Sequence, residues 1–165
     1  MRRALSILVL GLVATTLSAL EPAHEPLTGT WTLVSVDNVF PDGTRVQPYG
    51  PNPKGILMFD AAGRYSLQIF RAGRAGFASN EKSRGTAEEY KATVEGTNSH
   101  FGKYPIDEAA HTITFQIEHA SFPNWEGTEQ KRSFTRAGDE LRYTVPVTTT
   151  KDGAVGEVVW RRVSQ

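Results

Sequence analysis

The sequence predicts an all-β fold: an eight-stranded antiparallel barrel with one short mid-chain helix. Three observations predict it. Beyond residue 28, short runs of strand-forming residues recur at regular intervals, separated by turn signals. The first run, Gly29-Thr-Trp31-Thr-Leu-Val-Ser-Val36, joins a glycine that permits close backbone approach to a tryptophan large enough to plug a barrel end. The last run, Glu157-Val-Val-Trp160-Arg161-Arg162, can return beside the first and close the sheet, which removes its edges. A two-sheet sandwich is the alternative arrangement of the same strands.

The chain has 165 residues, enough for one domain with a substantial core. Met1-Arg2-Arg3 precedes the apolar run Ala4 to Leu17, and Leu17-Ser18-Ala19 offers a small residue for cleavage. Residues 1–19 therefore read as a secretory signal peptide. The run is short for a membrane span, which takes about 20 apolar residues. A retained anchor helix is the alternative. Residues 20–28, with two prolines, form a flexible leader, and the domain covers 29–165. The expected address is exported, periplasmic or secreted, with no stable membrane insertion after cleavage.

The first strand runs from Gly29 to Asn38, followed by the turn Phe40-Pro-Asp-Gly-Thr44 and the proline-rich loop Pro48 to Pro53. Ile56 to Phe59 and Arg64 to Arg71 form a hairpin across Asp60-Ala-Ala-Gly63. In its second strand Tyr65, Leu67 and Ile69 share one face, the period of two of a half-buried strand. Arg71-Ala-Gly-Arg-Ala-Gly76 is a solvated connection or, more sharply read, a cationic lip. Thr86 to Glu95 is the helix: Thr86 and Glu89 make a capping box, Ala87, Tyr90 and Val94 form an apolar stripe, Lys91 and Glu95 pair, and Gly96 stops it. Its expected role is a lid or barrel plug. The remaining strands are Phe101–Ile106, Thr112–His119, Thr128–Arg136, Glu140–Pro146 and Val155–Val163. Eight strands suffice for a barrel that holds one small ligand.

Ten short motifs in order resemble one family. They are Leu27-Thr-Gly-Thr-Trp31, Tyr49-Gly50-Pro51, Gly55-Ile-Leu-Met-Phe-Asp60, Gly63-Arg-Tyr-Ser66, Gly85-Thr-Ala-Glu-Glu-Tyr90, Phe101-Gly-Lys-Tyr104, Phe122-Pro-Asn-Trp125, Gly127-Thr-x-Gln130, Arg132-x-Phe134 and Trp160-Arg-Arg162. The chain resembles the bacterial and fungal lipocalin-like domain family of the calycin superfamily, as an exported bacterial member. The resemblance implies the barrel and leaves function open, because the superfold hosts carriers and a few cyclase-type enzymes. The mid-chain helix departs from typical lipocalins, whose main helix follows the eighth strand.

Lys and Arg number 18 and Asp and Glu 18. This balance argues against nucleic acid as a partner, since phosphate binding needs a basic excess. Loss of Arg2 and Arg3 with the leader leaves 16 basic against 18 acidic residues, a net charge of −2. Cysteine is absent, which excludes disulfides, thiol catalysis and cysteine-ligated metal. The histidines are His24, His100, His111 and His119. His111 and His119 lie eight residues apart, about 26 Å along a straight strand, and cannot share a metal. No metal or cofactor is expected.

Strand parity supplies the candidate site. Ile113, Phe115, Ile117 and His119 share one face of their strand; Thr128, Gln130, Arg132 and Phe134 share one face of the next. A hairpin pairing Ile113 with Phe134, Phe115 with Arg132, Ile117 with Gln130 and His119 with Thr128 turns Gln130 and Arg132 inward. A buried arginine is costly unless paired. It serves either a structural ion pair or a polar floor for a ligand carboxylate, carbonyl or phenol in an apolar cavity. The expected ligand-binding residues are Tyr65, Leu67, Arg71, Tyr104, Phe115, Ile117, His119, Trp125, Gln130, Arg132 and Tyr143, with Trp125 covering the pocket or packing over the barrel end. Gly29, Trp31, Trp160, Arg161 and Arg162 are structural, one of the two arginines stacking on Trp31. The partner is a small apolar or amphipathic ligand. An isomerase or cyclase would instead use His119, Arg132 and Tyr104 or Tyr143 for proton transfer, and an interaction domain would have a filled core.

Overall fold

The computed structural model describes residues 27–149 and 153–164. The segment read as a signal peptide, residues 1–19, and most of the expected leader, residues 20–28, lie outside the described residues.

Ten strands form one antiparallel sheet: β1 (Gly29–Val39), β2 (Arg45–Val46), β3 (Lys54–Phe59), β4 (Arg64–Phe70), β5 (Thr97–Lys103), β6 (Ile106–Asp107), β7 (Thr112–Ala120), β8 (Glu129–Ala137), β9 (Glu140–Val145) and β10 (Val155–Arg162). The order β10-β9-β8-β7-β5-β4-β3-β1 is closed by pairing of β10 with β1, giving an eight-stranded barrel; the two-residue β2 and β6 pair onto β1 and β7. The sandwich alternative is thereby excluded. All eight predicted strands are present.

One end of the barrel is sealed. Trp31 and Trp160 are fully buried, and Leu57, Leu141 and Ile113 pack with them in the core. The Trp31 indole donates to the Leu27 carbonyl at 2.9 Å, tying Leu27 to the sealed end. Register sets Trp31 opposite Arg162, whose guanidinium lies 4.2 Å over the indole and donates to the Thr28 carbonyl at 2.7 Å. Arg161 points outward. Gly29 has φ +129, and a Cβ there would come within 2.8 Å of the Arg162 guanidinium, so this arginine needs glycine beside it.

The helix, α1 (Ala87–Glu95), has the predicted capping box: Thr86 Oγ1 accepts from Glu89 N, and the Glu89 carboxylate accepts from Thr86 N. It is not a plug. None of its residues is buried, and Val94 on the expected apolar stripe is 64% exposed. Tyr90 instead meets Phe77 edge-to-face at 5.3 Å, and Glu89 accepts from Ala78 N, so the helix secures the 71–86 connection outside the barrel.

Candidate functional site

A cavity of about 910 Å³ opens at the end opposite Trp31. Its walls are Val36, Leu67, Ile69, Phe115, Val145 and Val158; its polar lining includes Asn98, His100, Gln130, Arg132 and Tyr143. Tyr49, the Phe122–Trp125 turn and residues 146–149 surround the mouth. Beneath it lies an aromatic layer: Phe115 meets Tyr65 at 4.7 Å, Tyr143 at 5.8 Å and Phe59 at 6.3 Å between ring centroids. The core is therefore open rather than filled.

Local pairing explains which side chains reach this space. The hairpin of β7 and β8 pairs Ile113 with Arg132 and Phe115 with Gln130, two residues away from the predicted register. A slip of two preserves facing, so Gln130 and Arg132 still point inward. Pairing with β8 ends where Ile117 and Thr128 bond, and the end of β7 crosses to β5. There Phe101 pairs with His119 but Gly102 pairs with Ile117, so Glu118 is an extra residue in β7. Such a bulge inverts the alternation beyond it. His119 consequently faces outward, with a 69% exposed side chain, 3.4 Å from Glu126 and against the Phe101 ring. The expectation that His119 lines the pocket is corrected for this reason.

The interior histidine is His100. It is 7% exposed and lines the cavity. Its Nδ1 is 2.7 Å from the Tyr65 hydroxyl, and its ring stands edge-on to Phe115 and Trp125. Sequence reasoning missed it because β5 begins at Thr97, not Phe101: the polar run Thr97-Asn98-Ser99-His100 reads as loop, yet pairs with Phe70 to Leu67 of β4. Alternation carried back from Tyr104 through Gly102 would have put His100 and Asn98 on the inner face.

The other predicted residues divide by depth. Leu67, Phe115, Trp125, Gln130, Arg132 and Tyr143 line the cavity. Tyr65 and Ile117 are buried in the core, Tyr65 reaching the cavity through its bond to His100. Tyr104 belongs to the sealed end: its ring packs at a 45° tilt against Phe59, 4.4 Å between centroids, and it donates to the Asp60 carbonyl at 2.6 Å. Arg71 lies outside, donating to the Pro48 carbonyl at 2.8 Å and tying the mouth loop to β4. His119, Arg132 and Tyr104 thus do not meet, and the proton-transfer grouping built on them has no shared site. Trp125 sits in a short 3-10 turn, Pro123–Trp125, edge-on to Phe122 at 5.5 Å and to His100 at 5.9 Å, which puts it over the mouth.

Arg132 donates to Gln130 Oε1 and to the Lys131 carbonyl, and among the described residues no carboxylate pairs with it. Burial pushes its pKa down from the ordinary value, but a guanidinium starts so high that it stays charged. Burial, aided by the Arg132 charge, holds His100 down to about 3, so the imidazole is neutral at physiological pH. Burial raises Tyr143 to about 12 and also raises Tyr65 and Tyr49, so these phenols keep their protons. Among the described residues, the cavity below its exposed rim therefore carries one positive charge, Arg132, and no negative one. Among the described residues there is no group of three or more metal-capable side chains, and no helix is long and apolar enough to cross a membrane.

A cavity with apolar walls and a polar patch in an eight-stranded barrel, sealed by Gly-x-Trp and a stacked arginine, defines a lipocalin-type architecture. The chain belongs to the lipocalin-like domain family, whose pattern it matches over residues 28–163. It is also similar to the 4'-hydroxy-3'-methoxypropiophenone carrier protein ppsC of Aspergillus oryzae, with 26% identity over 106 residues that span 59% of this chain and 96% of the relative.

Proposed function

We propose that this protein carries or sequesters a small aromatic or otherwise largely apolar molecule in the barrel, held at its polar end by Arg132. The observation that carries this reading is the Arg132 guanidinium inside the 910 Å³ cavity, with no carboxylate partner among the described residues. Ligand pockets of this kind are mostly apolar, with a few placed polar groups. A guanidinium can hold a carboxylate, carbonyl or phenolic oxygen with two hydrogen bonds. Similarity to a 4'-hydroxy-3'-methoxypropiophenone carrier protein supports an aromatic, largely apolar ligand.

Fluorescence of N-phenyl-1-naphthylamine, a neutral apolar probe, tests the reading. One probe per protein should bind, and aromatic acids should displace it. Arg132→Met keeps length and removes charge. It should retain the probe while losing about tenfold or more of its affinity for the acids, the scale of a lost charge-assisted hydrogen bond. A wild-type barrel that excludes the probe would refute cavity binding; unchanged acid affinity in the variant would refute the anchor.

The proposal extends to compartment. The basic, apolar N-terminal run supports export with cleavage near Ala19. Intact mass of protein recovered from its source should place the mature N-terminus between Leu20 and Ala23; retention of Met1 would contradict export.

A further inference from the structure

We propose that Tyr65 and His100, together with Arg132, turn an N–H donor and a cation toward the polar end of the cavity, which takes the ligand's head group in its deprotonated form. This rests on the cavity-binding reading above and specifies its ligand class: carboxylates, acidic phenols and enolised carbonyls, in preference to alcohols and amines of the same shape.

The argument begins with a proton. The Tyr65 hydroxyl and His100 Nδ1 are 2.7 Å apart in a buried setting, and among the described residues the hydroxyl has no other partner. A buried hydroxyl that did not donate here would leave its hydrogen unbonded, at a cost of about 1–3 kcal/mol. Tyr65 therefore donates, Nδ1 accepts, and the neutral imidazole carries its proton on Nε2. Nε2 makes no hydrogen bond among the described residues, on a ring that lines the cavity. Its N–H is left for a ligand.

Asn98 Oδ1, a buried acceptor of the lining without a partner, lies at the next inward position of β5 from His100, opposite Ile69, and the groups beside Arg132 are donors or already bonded. Gln130 Oε1, the acceptor closest to Arg132, is already taken by that arginine, which has further N–H groups to offer. Tyr143 on β9 and Tyr49 at the mouth keep their protons. Among the described residues Glu129 is the one acidic residue of the lining; it is exposed, and its carboxylate accepts from the Gln116 amide on β7. Lys131 beside it adds positive charge at the rim. An oxygen bearing a lone pair or negative charge meets donors and an unbalanced cation here, whereas a hydroxyl or ammonium hydrogen finds no free acceptor at Arg132 and His100.

The test uses 4-nitrophenol, which ionises near neutrality and whose phenolate absorbs visible light. Its ionisation midpoint, read by absorbance with protein in excess, should fall by about one unit or more on binding, the effect of a nearby opposite charge. Arg132→Met should abolish the fall and Tyr65→Phe should reduce it. Nitrogen-15 spectra of the ligand-free protein should show His100 protonated at Nε2, and a mixture of tautomers in Tyr65→Phe. An unshifted or raised midpoint, a His100 protonated at Nδ1, or failure to bind 4-nitrophenol by a barrel that holds N-phenyl-1-naphthylamine would overturn the proposal. Failure to hold that neutral probe as well would instead count against cavity binding itself.

Discussion

His100 couples the cavity to pH. Its imidazole is neutral in the folded protein, with a pKa near 3 caused first by burial and then by Arg132. In the unfolded chain it returns to about 6.5. A depressed folded value means that the unfolded state binds the extra proton, so the contribution is full above the unfolded pKa and is lost as pH falls toward 3. Between pH 7 and 5 this residue alone should cost about 2 kcal/mol of stability. Urea midpoints at the two pH values should show a loss of that order, and His100→Gln should flatten the dependence; an equally steep loss in the variant would assign it to other groups. Residue-level facing was legible where alternation runs unbroken, as at Gln130 and Arg132. It failed at His119 because one extra residue, Glu118, reverses facing without any signature in composition.

That bulge is a property of an element pair. Gly102 stands opposite it on β5, and a Cβ at Gly102 would lie 1.9 Å from the Gln116 carbonyl oxygen, a backbone atom that cannot rotate away. Gly102→Ala should therefore destabilise by at least about 2 kcal/mol, toward the upper part of the overpacking range. A melting curve within error of wild type would mean that β5 and β7 are not held this closely. The bulge also lets the end of β7 leave β8 for β5 and frees Phe122–Trp125 to turn over the mouth. Element existence was readable from turns and alternation, and the helix start from its capping box. Element packing was not. The Ala87, Tyr90 and Val94 stripe predicted burial, but the helix rests on Phe77 and its own connection instead. A short stripe states what a helix can cover, and nothing in it specifies the surface supplied.

At the scale of the whole molecule, barrel closure separates two tasks. The end with Trp31, Trp160 and Arg162 is packed and tied to the backbone at Leu27 and Thr28. The other end keeps a cavity whose single charge below the rim, among the described residues, is Arg132. The Gly-x-Trp motif made the sealed end legible, because a tryptophan of that size must be buried somewhere. The open end was only partly legible, since β5 brings Asn98 and His100 into the cavity from a run too polar to look like a strand. The measurement that bears most directly on this division is calorimetric titration of wild type and Arg132→Met with cinnamate and cinnamyl alcohol, which share a shape and differ in charge. Wild type should prefer the acid by about tenfold or more, and Arg132→Met should bind both alike with its affinity for the alcohol retained. Equal affinity of wild type for the two compounds, or an acid preference that survives in Arg132→Met, would contradict an anion-selective barrel anchored at Arg132.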